Sequence, residues 1–178
     1  MQNKTVFITG ATGFLGGALA LRLAAEGAIV KALARRPNRD KYLRDVPGIE
    51  IVMGDITDAA RMRELTQDCD IVFHVAAALN GKLDFQRRVN VDGTRNVAIA
   101  AAQANIERFV YVSTIAVYGY SVTGIIDEDT PQYPGNVPYN RSKSEAETAL
   151  LKVVSDNNLP YSIIRPGMIY GARSAMWT

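Results

Sequence analysis

Six short runs of apolar residues, many of them β-branched, recur along the chain. They cover Thr5–Thr9, Ile29–Leu33, Ile49–Met53, Ile71–Val75, Phe109–Ser113 and Tyr161–Ile164. Apolar side chains fall on both faces of these runs, which is typical of strands in a parallel sheet that helices cover on both sides. We therefore expect six buried parallel strands.

Longer segments rich in Ala, Leu, Glu and Arg separate most of these runs and carry apolar residues at helical spacing. They cover Phe14–Glu26, Ala59–Gln67, Val91–Asn105 and Tyr139–Asn157. Gly27 ends the first segment, Pro160 follows the last, and Asp58 has the side chain of an N-cap. Alternating strands and helices predict βαβ crossovers and a doubly wound α/β sheet.

Composition narrows the class of protein. The 178 residues are 48% hydrophobic and 21% charged, with a net charge of +2, as in one globular domain with no bias toward nucleic acid. No apolar stretch approaches the roughly 20 residues of a membrane span, and no signal peptide is visible. One Cys and one His cannot build an internal disulfide or a thiol–imidazole metal cage. A cytoplasmic protein without a metal is the expectation.

A glycine-rich turn follows the first strand and opens the first helix. Gly10, Gly13 and Gly16 stand in triplet spacing, which suits a tight turn, close approach of a pyrophosphate and close helix packing. The N–H groups of this turn would then face the phosphates, so Thr12, Phe14 and Leu15 join the predicted binding residues. The alternative is a small-residue turn that binds nothing.

The end of the second strand indicates which dinucleotide is bound. An Asp or Glu there typically binds the ribose of NAD, but this chain has Arg35 and Arg36. Because a guanidinium binds phosphate through a two-pronged hydrogen bond, the pair favours the 2′-phosphate of NADP over NAD. A solvated basic loop is the alternative for the arginines, and Asp40 is the alternative ligand for a ribose.

Two further strand ends supply candidate cofactor contacts. Asp55 and Ile56 follow the third strand and suit an adenine, although an Asx turn also explains the aspartate. Ala76 and Ala77 follow the fourth strand and leave room for a cofactor. His74 lies inside that strand, so we interpret it as a buried structural histidine.

The candidate chemistry lies at the start of the last helix. Tyr139 and Lys143 are four residues apart and therefore share a helix face. An ammonium beside the phenol is expected to lower its pKa and so favour the phenolate as a base. Ser113 and Thr114 end the fifth strand and could orient a substrate oxygen.

These residues together resemble the extended short-chain dehydrogenases/reductases, the NAD-dependent epimerase/dehydratase family. The matching motifs, in family order, are TGATGFLG (9–16), GDITD (54–58), HVAA (74–77), NVDGTRNV (90–97), YVSTIAVYG (111–119), YNRSK (139–143) and RPGMIYG (165–171). The resemblance implies a Rossmann-type fold, with Thr114, Tyr139 and Lys143 as the catalytic residues. It also implies cofactor contacts by Asn90, Pro166, Gly167 and Ile169.

Departures from the family pattern refine the expected function. Sugar 4,6-dehydratases carry Asp-Glu where this chain has Ile115-Ala116, so water elimination is not expected. The arginine pair resembles dihydroflavonol-reductase-like members, which favours NADP-linked reduction of a carbonyl or oxidation of an alcohol. A nucleotide-sugar epimerase and a non-catalytic dinucleotide-binding or scaffolding domain are the alternatives.

The length of the chain is a further departure. Residues 1–178 are expected to form the dinucleotide-binding domain, and the family's C-terminal substrate lobe is not recognisable. Family members often dimerise through the helices that correspond to Val91–Asn105 and Tyr139–Asn157, so a homodimer is a further expectation from the resemblance.

Overall fold

A parallel sheet of six strands forms the centre of the computed structural model, which describes residues 1–37, 41–120, 123–171 and 174. The strands are β1 (Thr5–Thr9), β2 (Ile29–Ala34), β3 (Ile49–Met53), β4 (Ile71–His74), β5 (Arg108–Val112) and β6 (Tyr161–Ile164). Their spatial order is β3-β2-β1-β4-β5-β6. The order reverses between β1 and β4, which places a crevice at the carboxyl ends of these two strands. The predicted doubly wound α/β fold is confirmed.

The helices are α1 (Phe14–Ala25), α2 (Ala59–Thr66), α3 (Leu83–Gln86), α4 (Gly93–Gln103) and α5 (Pro138–Asn157). Asp58 caps α2 as predicted, since its Oδ1 accepts the N–H of Arg61 at 3.0 Å. Across the described residues, none of the helices combines the length and hydropathy that crossing a membrane needs.

The helix predicted from Val91 begins earlier than expected. A π-helical turn, Arg87–Asp92, joins α3 to α4, so helical structure runs from Leu83 to Gln103. Three consecutive residues of this turn, Val89–Val91, are all buried. Consecutive burial breaks the 3.6-residue pattern on which helix prediction depends, which explains the late boundary.

The helices divide the core between the two faces of the sheet. On β1, Val6 and Ile8 pack with Ala20 and Leu23 of α1, while Phe7 lies in the opposite core with residues of α2, α4 and α5. The expectation of two buried faces is wrong for β3 and β6, which are the edge strands. Glu50 and Ile164 on these strands are exposed.

His74 joins three elements beneath the carboxyl edge of the sheet. It is fully buried, with Nδ1 2.7 Å from Thr9 Oγ1 and Nε2 2.9 Å from Thr94 Oγ1. Thr94 donates its own proton to the carbonyl of Asn90, so Nε2–H donates to Thr94 and Nδ1 accepts from Thr9. Both ring nitrogens are therefore used within the core, in agreement with the structural interpretation.

The same threonine holds the glycine turn against the chain that follows β4. Thr9 Oγ1 accepts the N–H groups of Val75 and Ala76, each at 3.2 Å. Gly10 comes next and has a φ of +72°, and a Cβ there would lie 2.7 Å from the Ala76 nitrogen. Only glycine satisfies both the dihedral angle and the space available.

The buried imidazole makes stability depend on pH. Burial, with a smaller contribution from Lys143, lowers the pKa of His74 from 6.5 to about 3. Between these values the unfolded chain binds a proton that the folded protein does not. The free energy of unfolding should therefore fall as the pH drops from 6.5 toward 3, by about 1.4 kcal/mol per pH unit from this group. Urea denaturation should show a steeper pH dependence for the wild type than for His74→Gln; equal slopes would contradict this assignment.

Gly10→Ala should destabilise the fold through its contact with the Ala76 backbone. Gly124→Ala is the matched control, because Gly124 has a φ of +93° and no heavy atom of the described residues lies within 4 Å of the added Cβ. Both variants incur the cost of a left-handed residue, about 1–2 kcal/mol. Gly10→Ala should lose about 1–3 kcal/mol more from overpacking. Equal free energies of unfolding for the two variants would show that the contact relaxes without cost.

Candidate active site

The carboxyl ends of the strands frame a cavity of about 560 Å³, to which the first turns of α5 also contribute. This volume falls within the roughly 300–1,000 Å³ of typical small-molecule and cofactor sites. The predicted site residues on its wall are Gly10, Thr12, Gly13, Phe14, Leu15, Gly16, Arg35, Asp55, Ile56, Ala76, Ala77, Thr114, Tyr139, Lys143, Pro166, Gly167 and Ile169.

Two of the predicted site residues do not line this cavity, and seven residues line it that were not predicted to bind the cofactor. Arg36 is exposed and Asn90 is buried, and neither lines the cavity. Further residues line it without having been assigned to the cofactor: Leu33, Gly54, Val75, Leu79, Val89, Val112 and Ser113. Most of them are apolar residues near strand ends. Only their position in the sheet could have indicated from the sequence that they line a cavity.

The glycine turn forms a cradle at the N-terminus of α1. Gly13 is the N-cap and has no side chain to cap the helix, and the first turn contains no acidic residue. The Gly13 N–H donates to Gly10 O, and the first helical hydrogen bond runs from Gly17 N to Gly13 O, so the N–H groups of residues 14–16 are the ones available to an anion. A Cβ on Gly16 would lie 2.3 Å from Gly10 O. This backbone fits the pyrophosphate of a dinucleotide.

Arg35 and Asp55 stand at neighbouring strand ends on the same wall. Arg35 directly follows β2, and its side chain is exposed. Asp55 Oδ1 accepts the N–H and the hydroxyl of Thr57 at 2.9 and 2.8 Å. The Asx-type turn considered from the sequence is therefore present, and it fixes a carboxylate that also lines the cavity. Asp40 lies outside the described residues.

The sheet positions the side chain of Lys143. Its side chain is buried, Nζ donates to Val112 O at 2.8 Å, and the ammonium lies 4.1 Å from the centre of the Tyr111 ring. Burial lowers the pKa of Lys143 to about 7, although the nearby Glu147 carboxylate acts in the opposite direction. Lys143 is therefore a group that can gain or lose a proton near neutral pH.

The pKa of Tyr139 differs from the expectation. Burial raises its pKa above the ordinary value of 10, whereas the sequence predicted that Lys143 would lower it. The reason is local, because the lysine ammonium is directed to Val112 O and the phenol lies partly buried in the cavity wall. In this arrangement the Tyr139 phenol keeps its proton at neutral pH.

Ser113 and Thr114, the two hydroxyl residues at the end of β5, both line the cavity. Thr114 Oγ1 accepts the N–H of Ala116 at 3.2 Å, which leaves its own proton available to donate. Ser113 is 3% exposed, and among the described residues its Oγ has no hydrogen-bond partner. Thr114 can therefore present a hydroxyl proton to a substrate oxygen, whereas the Ser113 oxygen is itself buried.

Asn90 supports the cavity from behind its wall. Its Oδ1 accepts the N–H of Ala78 at 2.7 Å, and its Nδ2 lies 3.0 Å from Ala78 O and 2.9 Å from Ser142 Oγ. The amide thus holds the segment after β4 against α5. Asn90 does not line the cavity, because its side chain lies in the core; its contact with the cofactor stays a prediction.

A partly buried ion pair lies one turn beyond Lys143. Glu147 is 1% exposed and accepts Arg165 Nη2 at 2.7 Å and Gln132 Nε2 at 2.6 Å. Arg165 Nη1 also donates to the hydroxyl of Tyr118 at 2.7 Å. The pair joins α5 to the segment after β6 and to the loop before α5. Sequence reasoning missed it, although the four-residue spacing from Lys143 was a visible signal.

Comparisons with known proteins agree with this geometry. A family model described as NAD dependent epimerase/dehydratase matches residues 6–176. Human dTDP-D-glucose 4,6-dehydratase is 32% identical over 94% of this chain and 52% of its own length. The 2-alkyl-3-oxoalkanoate reductase of Shewanella oneidensis is 37% identical over 93% of this chain and 44% of its own length.

Solved structures show the same architecture. The enzyme WbmH of Bordetella bronchiseptica, determined in complex with NAD⁺, superimposes with a TM-score of 0.87 and 32% identity. The match covers 98% of this chain and 59% of that enzyme. The chain thus spans about half the length of the curated relatives that it matches. It belongs to the NAD-dependent epimerase/dehydratase family.

Proposed function

We propose that the protein transfers a hydride between NADP(H) and a small carbonyl or alcohol substrate, with residues 1–178 as the dinucleotide-binding domain. The observation that carries the choice of NADP is Arg35, whose exposed side chain stands on the cavity wall after β2. In dinucleotide-binding folds an acidic residue near this strand end binds the ribose of NAD, whereas an arginine accommodates the 2′-phosphate of NADP.

Proton transfer at the substrate oxygen is assigned to Tyr139. Because burial raises its pKa, the phenol stays protonated at neutral pH and can donate to the oxygen of a carbonyl that is being reduced. A bound nicotinamide supplies the hydride. Thr114 donates a hydrogen bond to the same oxygen, since its own Oγ1 already accepts from Ala116; Ser113 is the alternative donor.

Lys143 is assigned two roles. It returns the proton to Tyr139 after each transfer, and it contacts the nicotinamide ribose. Its pKa of about 7 matches the condition for efficient proton exchange near neutral pH. It lies one helical turn beyond Tyr139, on the same face of α5 and on the same cavity wall. Glu147 favours its charged form.

A nucleotide-sugar epimerase is the second candidate. The observation in its favour is that WbmH, the structural relative described above, was solved with NAD⁺, the cofactor that typical sugar epimerases of this family retain. Against dehydration stands the Ile115-Ala116 pair, because neither side chain can add or remove a proton. A cytoplasmic location and a homodimer through α4 and α5 stay predictions.

Calorimetric titration with NADP⁺ and NAD⁺ tests the cofactor. A charge-assisted hydrogen bond contributes about 1.5–3 kcal/mol, so the wild type should prefer NADP⁺ by about tenfold or more. Arg35→Gln should remove most of this preference and leave the affinity for NAD⁺ unchanged. Arg63→Gln, an exposed arginine on α2 outside the cavity, is the control. A preference for NAD⁺ would overturn the NADP assignment and favour the epimerase.

Tyr139→Phe tests the chemistry. Removing the proton donor should lower kcat for NADPH oxidation by a panel of aldehydes and ketones by about 10²–10⁴-fold. Affinity for the cofactor should change little. Tyr133→Phe provides the matched control, since Tyr133 is 67% exposed and does not line the cavity. Undiminished turnover by Tyr139→Phe would show that another group transfers the proton.

A further inference from the structure

Tyr42 contacts the glycine turn from outside the cavity. Its hydroxyl lies 2.9 Å from the carbonyl oxygen of Ala11 and 3.2 Å from that of Gly13. The tyrosine is half-buried and is not part of the cavity wall. Its neighbour Leu43 is fully buried in the core beneath α1, so the backbone that carries Tyr42 is firmly anchored.

The phenol has one proton, which it shares between these two carbonyl acceptors, and this contact constrains the orientation of both peptide planes. The described backbone contains no cis peptide bonds, and in a trans peptide the C=O of one residue and the N–H of the next point in opposite directions. Since the carbonyls of Ala11 and Gly13 face Tyr42, the N–H groups of Thr12 and Phe14 face away from it. Both of these residues line the cavity.

We infer that Tyr42 is a positioning residue for dinucleotide binding, which holds the glycine turn with its N–H groups directed at the pyrophosphate. The inference rests on the proposed function, because it requires a ligand with phosphates in this cavity. Preorganised donors bind an anion more tightly than donors that must be ordered on binding. The phenol hydroxyl supplies that order without touching the ligand.

Gly17 provides independent support. The triplet spacing of glycines accounts for Gly10, Gly13 and Gly16 and leaves Gly17 unexplained. A Cβ at position 17 would lie 2.0 Å from the Tyr42 hydroxyl oxygen and 2.8 Å from two of its ring carbons. The three nearest atoms all belong to Tyr42. Because Gly17 has no side chain, the Tyr42 ring has space to pack against the turn.

Tyr42 also follows the loop that begins with the candidate phosphate ligand Arg35. Its hydroxyl contacts the glycine turn across 31 and 29 residues of sequence.

Tyr42→Phe removes the hydroxyl and keeps the ring against Gly17. Titration of this variant with NADP⁺, NAD⁺ and adenosine should show both dinucleotides bound about fivefold more weakly, as expected for one net hydrogen bond. Adenosine, which has no phosphate, should bind as it does to the wild type. Tyr161→Phe on β6, which does not line the cavity, is the matched control. Equal losses for all three ligands would indicate a merely structural role and overturn the inference.

A double-mutant cycle supplies a second test. Gly17→Ala should weaken dinucleotide binding in the wild-type background, because the methyl group displaces the phenol. It should cause no further loss in a Tyr42→Ala background, where the space is free. Additive losses would overturn the inference. Wild-type protein that binds neither dinucleotide would overturn the proposed function together with it; dinucleotide binding that is unchanged in Tyr42→Phe would overturn the inference alone.

Discussion

The hydrogen bonds of the His74 imidazole are the constraint on which the rest of the site depends. They fix the spacing between β1, β4 and α4. The glycine turn follows β1 directly, and the cavity segment after residue 74 follows β4 directly, so both are positioned by these hydrogen bonds. Because Thr9 also accepts the N–H groups of Val75 and Ala76, the two walls of the crevice cannot separate without breaking buried hydrogen bonds. Leaving such groups unpaired costs about 1–3 kcal/mol each.

A second set of buried polar contacts stabilises the reactive side of the cavity. Glu147 and Arg165 bring α5, the segment after β6 and the loop before α5 into one network, and Asn90 joins the segment after β4 to α5. These groups contact no reacting atom, yet they determine where Tyr139 and Lys143 stand. The candidate chemistry therefore depends on side chains that lie behind the cavity wall.

The sequence predicted the sheet, the glycine turn and most of the cavity wall, because each carries a local signal: apolar runs, glycine spacing, or a polar residue at a strand end. It failed where the outcome depends on three-dimensional contacts. The π-helical turn around Asn90 breaks the helical period, so neither the start of the helix nor the inward direction of the amide was visible. The raised pKa of Tyr139 depends on burial, and the interaction of Lys143 with the Val112 carbonyl depends on strand packing. Tyr42 belongs to no recognised motif, and its contact with the turn is made to backbone carbonyls, which carry no sequence signal.

A chain with one histidine gives one set of imidazole signals in an NMR spectrum. His74 lies directly before the segment that lines the cavity, and its low pKa keeps its protonation state constant throughout the physiological range. Its chemical shift is therefore insensitive to the pH of the buffer in this range, but it is sensitive to the packing of the strand ends. The protein carries its own spectroscopic reporter, in which ligand entry would appear as a shift and local opening as line broadening.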